Sequence, residues 1–282
     1  MGALINSAEL AELRDSHPDT VVLDVRWRLA GPPGHDDYLL GHLPGAVFVD
    51  LDRELAAEPG AAGRHPLPGP VQLQATLRAA GITADSPVVV YDDADGSVAA
   101  RAWWLLRWAG HDRVTVLDGG YAGWIADGGV PSTEVPVPQP GDVTVVPGSV
   151  PVLDADEAAE LASTGLLLDA RAPQRYSGEQ EPIDPRAGHV PGAVNAPFAA
   201  HTADGRWRTA EDLRGHFGAL GVTGDRRIGA YCGSGVTACS VLLALEVAGL
   251  STPERPAALY AGSWSHWSGE PERPIATGST PG

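Results

Sequence analysis

The sequence predicts an α/β protein of two tandem domains, each a parallel sheet flanked by helices. Three observations carry that expectation. The chain has 282 residues, long for one core and comfortable for two domains of ordinary size. Short apolar runs alternate with helical stretches, the pattern of parallel strands joined by crossovers. The two halves also repeat each other. Leu23-Asp24-Val25-Arg26 returns as Leu168-Asp169-Ala170-Arg171, and Gly41-His42-Leu43-Pro44-Gly45-Ala46-Val47 returns as Gly188-His189-Val190-Pro191-Gly192-Ala193-Val194. Val89-Val90-Tyr91-Asp92 answers Gly229-Ala230-Tyr231-Cys232, and the run Leu117–Trp124 answers Tyr260–Trp267, at offsets of 140 to 147.

In chain order, Ser7 is the expected cap of a short first helix. Val21–Leu23, Val88–Tyr91 and Val114–Leu117 are the buried strands of the first half, with helices over Leu73–Ala80 and Val98–Ala109. Leu166–Leu168, Ile228–Tyr231 and Ala257–Tyr260 match them in the second, with helices over Asp156–Ala162 and Val236–Val247. Gly128–Pro151, rich in Pro, Gly and Val, has little helical pattern and reads as an extended linker. The expected organisation is residues 1–127, a linker at 128–151, and residues 152–282.

The formal net charge of −17 speaks against a nucleic-acid partner, because neutralising phosphates takes a lysine and arginine surface. No apolar run approaches a membrane span, and the first residues lack the basic and apolar regions of a signal peptide. Cytoplasmic residence is the expectation. Two cysteines make no disulfide scaffold. A helix through Cys239 would hold it about two turns from Cys232, on the order of 10 Å away and beyond bonding reach. No Cys/His cluster has zinc-ligand spacing, and neither a metal nor an organic cofactor is expected.

The chemistry gathers at Cys232-Gly233-Ser234-Gly235-Val236-Thr237, where a strand meets a glycine-studded turn opening onto a helix. Glycines let successive N–H groups turn inward to make an anion-binding concavity, and the helix start adds its dipole. Such a ring favours the thiolate, the reactive form of cysteine, and would equally hold a persulfide anion or developing charge on a substrate. Covalent catalysis by sulfur follows; the plainer alternative is a small buried cysteine. Cysteine phosphatases carry an arginine six positions after the nucleophile to grip three phosphate oxygens. Ala238 stands there, which disfavours a phosphatase or arsenate reductase.

The duplicated Asp-x-Arg and Gly-His-x-Pro-Gly-Ala signals, with Cys-Gly-Ser-Gly-Val-Thr in the second copy alone, resemble the two-domain rhodanese family of thiosulfate and 3-mercaptopyruvate sulfurtransferases. The resemblance covers nearly the whole chain. It implies two rhodanese-like domains, a catalytic second domain and a first domain lacking the cysteine, in keeping with Asp92 opposite Cys232. It implies that Cys232 takes a sulfur from a small anionic donor, holds it as a persulfide and passes it to a thiol or cyanide. Thioredoxin, glutathione and a dedicated protein stay open as acceptors. The neutral Gly233 and Ser234 are similar to the mercaptopyruvate branch, which is favoured over thiosulfate. Arg175 matches the arginine holding the donor's anionic end. The family's second arginine follows Glu-Pro; here Glu181-Pro182 is followed by Ile183, and Arg186 is the candidate stand-in. A non-catalytic persulfide-sensing or protein-interaction module on the same fold is the alternative, although it would not need the intact loop.

Structural roles compete with these. Arg175 could pair with Glu179 on the surface. His42 matches a residue proposed to relay with the loop serine, yet His189 repeats it, so both histidines are expected to brace turns. Asp24/Arg26 and Asp169/Arg171 occur in both copies and read as framework ion pairs. Trp103, Trp104, Trp108, Trp264 and Trp267 are expected in packing, and Cys239 as a buried, inert thiol.

Overall fold

The apolar runs form four-residue central strands buried along their whole length apart from the half-buried Val21, as strands covered on both faces must be. The computed structural model describes residues 1–282. In the first half lie β1 (Leu4–Ile5), β2 (Val21–Asp24), β3 (Val47–Phe48), β4 (Val88–Tyr91) and β5 (Val114–Leu117), a sheet of order β1-β5-β4-β2-β3 with every pairing parallel. In the second lie β6 (Val152–Leu153), β7 (Leu166–Asp169), β8 (Val194–Asn195), the two-residue strands β9 (Thr202–Ala203) and β10 (Arg206–Trp207), β11 (Ile228–Tyr231) and β12 (Ala258–Tyr260). Its five-stranded parallel sheet has the order β6-β12-β11-β7-β8, the same topology as the first.

Helices α1 (Ser7–Ser16), α2 (Gly34–Leu40), α3 (Leu51–Glu54), α4 (Pro70–Ala79), α5 (Ser97–Trp108) and α6 (Gly120–Ala126) accompany the first sheet. The second has α7 (Ala155–Thr164), α8 (Pro173–Ser177), α9 (Ala210–Ala219), α10 (Ala238–Val247) and α11 (Ser263–Trp267). No helix is long and apolar enough to cross a membrane. Asn6, not Ser7, caps α1: its side chain accepts from Ala8 and Glu9, and Glu9 answers back in a capping box. Helix α10 begins at Ala238 rather than Val236, because the loop after Cys232 uses the intervening residues.

Two compact units result: Met1–Ala57, Pro68–Ser149 and Asp204–Trp207 in one, Glu58–Leu67, Val150–Ala203 and Arg208–Gly282 in the other. These bounds differ from 1–127 and 152–282. The expected linker belongs with the first unit up to Ser149, since Val143 and Val146 donate to Ile82 and Ala109 carbonyls and Val143 and Val145 are buried. Residues 58–67, by contrast, belong with the second unit.

At each sheet's second strand the repeated Asp-x-Arg forms a buried ion pair. Arg26 Nη2 meets Asp24 Oδ2 at 2.7 Å and the Gly41 carbonyl at 2.8 Å. Arg171 Nη2 meets Asp169 Oδ2 at 2.6 Å and the Gly188 carbonyl at 2.8 Å. His42 and His189 stack on Tyr38 and Tyr176, and each ring bonds two backbone carbonyls, those of Tyr38 and Glu134 or of Tyr176 and Pro281. These bonds brace turns. The five tryptophans named above are buried.

Candidate active site

Strand β11 ends at Tyr231, and the next residue, Cys232, enters a turn that only glycine can complete. Gly235 has φ +83°, and a methyl group there would stand 2.5 Å from the Ala261 carbonyl oxygen. With no side chain to place, Gly235 points its N–H at Cys232 Sγ, 3.1 Å away. Among the amides of residues 233–237, that of Gly235 alone donates to a protein acceptor. The N-terminus of α11 grips the loop's backbone. Trp264 and Ser265 donate to the Cys232 and Gly233 carbonyls at 2.9 Å each, and Ser263 Oγ accepts from the Cys232 amide at 3.1 Å. Ser263 does this at φ +53°, a left-handed conformation that costs a non-glycine residue of order 1–3 kcal/mol. Cys232 as a residue is 1% exposed. Cys239 is also buried and in no disulfide, and its Sγ donates to the Gly235 carbonyl at 3.4 Å.

Two guanidinium groups stand over Gly233. A methyl group on Gly233 would lie 2.9 Å from Arg64 Nη2 and 3.3 Å from Arg175 Nη1, so the approach requires glycine. Arg175, on α8, pairs with Glu181 at 2.7 Å and Asp184 at 3.0 Å rather than with Glu179. Arg64 pairs with the other oxygen of Asp184. Burial pushes the Asp184 carboxyl above the ordinary carboxylate range, and Arg64 pulls it back down. Next in the loop, Ser234 Oγ lies 2.7 Å from His65 Nδ1.

The structure therefore brings Arg175 to the Cys232 loop and corrects the expectation for Arg186. The guanidinium of Arg186 donates to five backbone carbonyls, those of Trp267, Ser268, Glu270, Pro271 and Arg273. All five N–H donors are committed, so Arg186 holds the segment after α11 instead of a ligand. Sequence reasoning missed Arg64 and His65. The available signal was the stretch Glu58–Pro70, crowded with Gly and Pro and carrying an adjacent guanidinium and imidazole.

The profile of the rhodanese-like domain matches residues 6–127 and 154–270. A Mycobacterium tuberculosis protein provisionally named thiosulfate sulfurtransferase SseB is 46% identical over 283 residues, covering 98% of this chain and 97% of that one. A Pseudomonas aeruginosa protein named "Probable 3-mercaptopyruvate sulfurtransferase" is 48% identical over 284 residues, covering 98% of each. Among solved structures, the 3-mercaptopyruvate enzyme SseA from Escherichia coli superimposes with a TM-score of 0.82 at 32% identity, over 94% of this chain and all of that one. Fold, duplicated motifs and relatives agree: the chain belongs to the rhodanese family and is a sulfurtransferase built of two rhodanese-like domains.

Proposed function

We propose that Cys232 is the nucleophile and carries sulfur as a persulfide between a small anionic donor and a thiol or cyanide acceptor. The observation that carries this reading is the Gly235 amide aimed at Cys232 Sγ within a loop whose other amides have no protein acceptor. Amides so arranged stabilise negative charge on sulfur, first the thiolate and then the terminal persulfide. In the first half-reaction Sγ attacks the donor's transferable sulfur. With 3-mercaptopyruvate the carbon–sulfur bond breaks, its electron pair stays on carbon as an enolate, and the thiol proton moves to that carbon to give pyruvate. With thiosulfate the sulfur–sulfur bond breaks and sulfite leaves with the pair. In the second half-reaction the acceptor attacks the outer sulfur and the Cys232 thiolate departs.

Arg175 holds the donor's anionic end, because a guanidinium presents paired donors to an oxyanion. The amides of Gly233, Ser234, Gly235, Val236 and Thr237 form the anion hole. The Ser234–His65 contact favours mercaptopyruvate over thiosulfate: only a donor that leaves a carbon anion needs a proton moved beside the loop.

Intact-protein mass spectrometry after incubation with each donor tests the proposal. The protein should gain one sulfur at Cys232 and lose it to cyanide or a reduced thiol, and Cys232→Ser should do neither. Absence of the gain with both donors would sink the reading.

A further inference from the structure

We infer that Arg64 and Arg175 form a single two-guanidinium anion site over the Cys232 loop, with Asp184 the positioning residue that joins them, and that this site selects donors charged beside the transferable sulfur. The inference deepens the reading of Cys232 as nucleophile and rests on it. Asp184 splits its carboxylate between the arginines: Oδ1 takes Arg64 Nη1, and Oδ2 takes Arg175 Nη2 at 3.0 Å. Glu181 takes the remaining far side of Arg175 through Nη2 at 2.7 Å and Nε at 3.3 Å. Both carboxylates are buried, with side chains 4% and 3% exposed, so they hold these positions firmly.

What is left over points one way. Arg64 Nη2 and Arg175 Nη1 are the guanidinium nitrogens nearest Gly233, and neither has a protein acceptor. Arg64 Nε is buried and likewise without an acceptor. Two sets of N–H donors thus converge beside Cys232, while the carboxylates behind them cancel their charge. An incoming anion is recognised by directed hydrogen bonds rather than by net field, which in a chain of net charge −17 would repel it. Arg64 brings its guanidinium to the loop from a distant stretch of chain, 120 residues before Asp184.

Matched alkylating reagents test this without any turnover. Iodoacetate carries a carboxylate beside its reacting carbon; iodoacetamide has the same shape without the charge. Each is attacked by the thiolate, with iodide leaving. The iodoacetate-to-iodoacetamide rate ratio at Cys232 should exceed that of a simple thiol. It should fall about tenfold in Arg64→Gln and in Arg175→Gln, the worth of a charge-assisted hydrogen bond. Asp184→Asn should lower it less, and Arg64→Lys should retain part of it. In steady state, Arg64→Gln should raise the KM for mercaptopyruvate and leave the acceptor KM unchanged. An unchanged ratio in Arg64→Gln overturns the anion site, as does an equal slowing of both reagents, which marks Arg64 as merely structural. Failure of both reagents to label wild-type Cys232 overturns the nucleophile, and the anion site with it; labelling by iodoacetamide alone overturns the anion site only.

Discussion

At the end of β4 the first unit carries Asp92 where the second, at the end of β11, carries Cys232. The Asp92 carboxylate accepts the amides of Ala94, Gly96, Val98 and Ala99 at 3.0 to 3.1 Å. The Cys232 sulfur takes the Gly235 amide alone. Both copies build a cradle of amides between strand and helix. In the first the chain's own carboxylate fills it; in the second a slim sulfur takes one amide and leaves the others without a protein acceptor. A second difference lies across each loop, at the start of α6 and of α11. Gly120 and Ser263 occupy matching positions with the same φ of +53°. A methyl on Gly120 would collide with the Asp92 carbonyl. Ser263 accepts the strain and uses its hydroxyl to hold the Cys232 amide. The costlier residue sits beside the cysteine-bearing loop.

Each contrast can be tested by breaking it. The largest expected effect is on activity: Cys232→Ser should lower sulfur transfer at least about a thousandfold, whereas Asp92→Asn should leave transfer measurable. Stability against pH comes next. Burial pushes the Asp92 carboxyl up to about 6 from 3.8, against the pull of its amide donors. The folded state therefore keeps a proton that the unfolded chain gives up. This contribution lowers stability as pH rises from about 4 to about 6, by about 3 kcal/mol, and stays constant above. Denaturant titrations of wild type and Asp92→Asn should diverge over that window and run parallel above it. A constant difference would show that the amide donors fully offset burial.

Gly235→Ala should cost about 2–3 kcal/mol, because the positive φ and the Ala261 carbonyl both oppose a side chain. It should also slow Cys232 alkylation by iodoacetamide. The smallest stability effects belong to Ser263. Ser263→Gly trades relief of backbone strain against a lost hydrogen bond and should stay within about 1 kcal/mol of wild type. Ser263→Ala keeps the strain and loses the bond, so it should be the less stable of the two. Equal stabilities would mean that the strain is negligible.

Chemistry set by neighbours in the chain was legible from the residues. The alternation of apolar runs specified two parallel sheets, the repeat specified their matching topology, and the glycine turn after Cys232 announced an amide pointed at sulfur. The recurrence of His42 as His189 correctly assigned both to turns. Arg186 misled because proximity to Glu181-Pro182 in sequence says nothing about where a long side chain finds acceptors. The five carbonyls it meets, at residues 267–273, lie far along the chain. The cap at Asn6 rather than Ser7 was a one-residue slip between two good capping types.

Local backbone demands, a positive φ here or a buried strand there, are imposed by residues a few positions apart, and the sequence by itself determined those. Which distant side chains face the loop was decided only by the tertiary path. His65 meets Ser234 across 169 residues, and Arg64 reaches Asp184 across 120. No periodicity encodes such a meeting, because a Gly- and Pro-rich segment carries no pattern of its own and is placed by what it packs against.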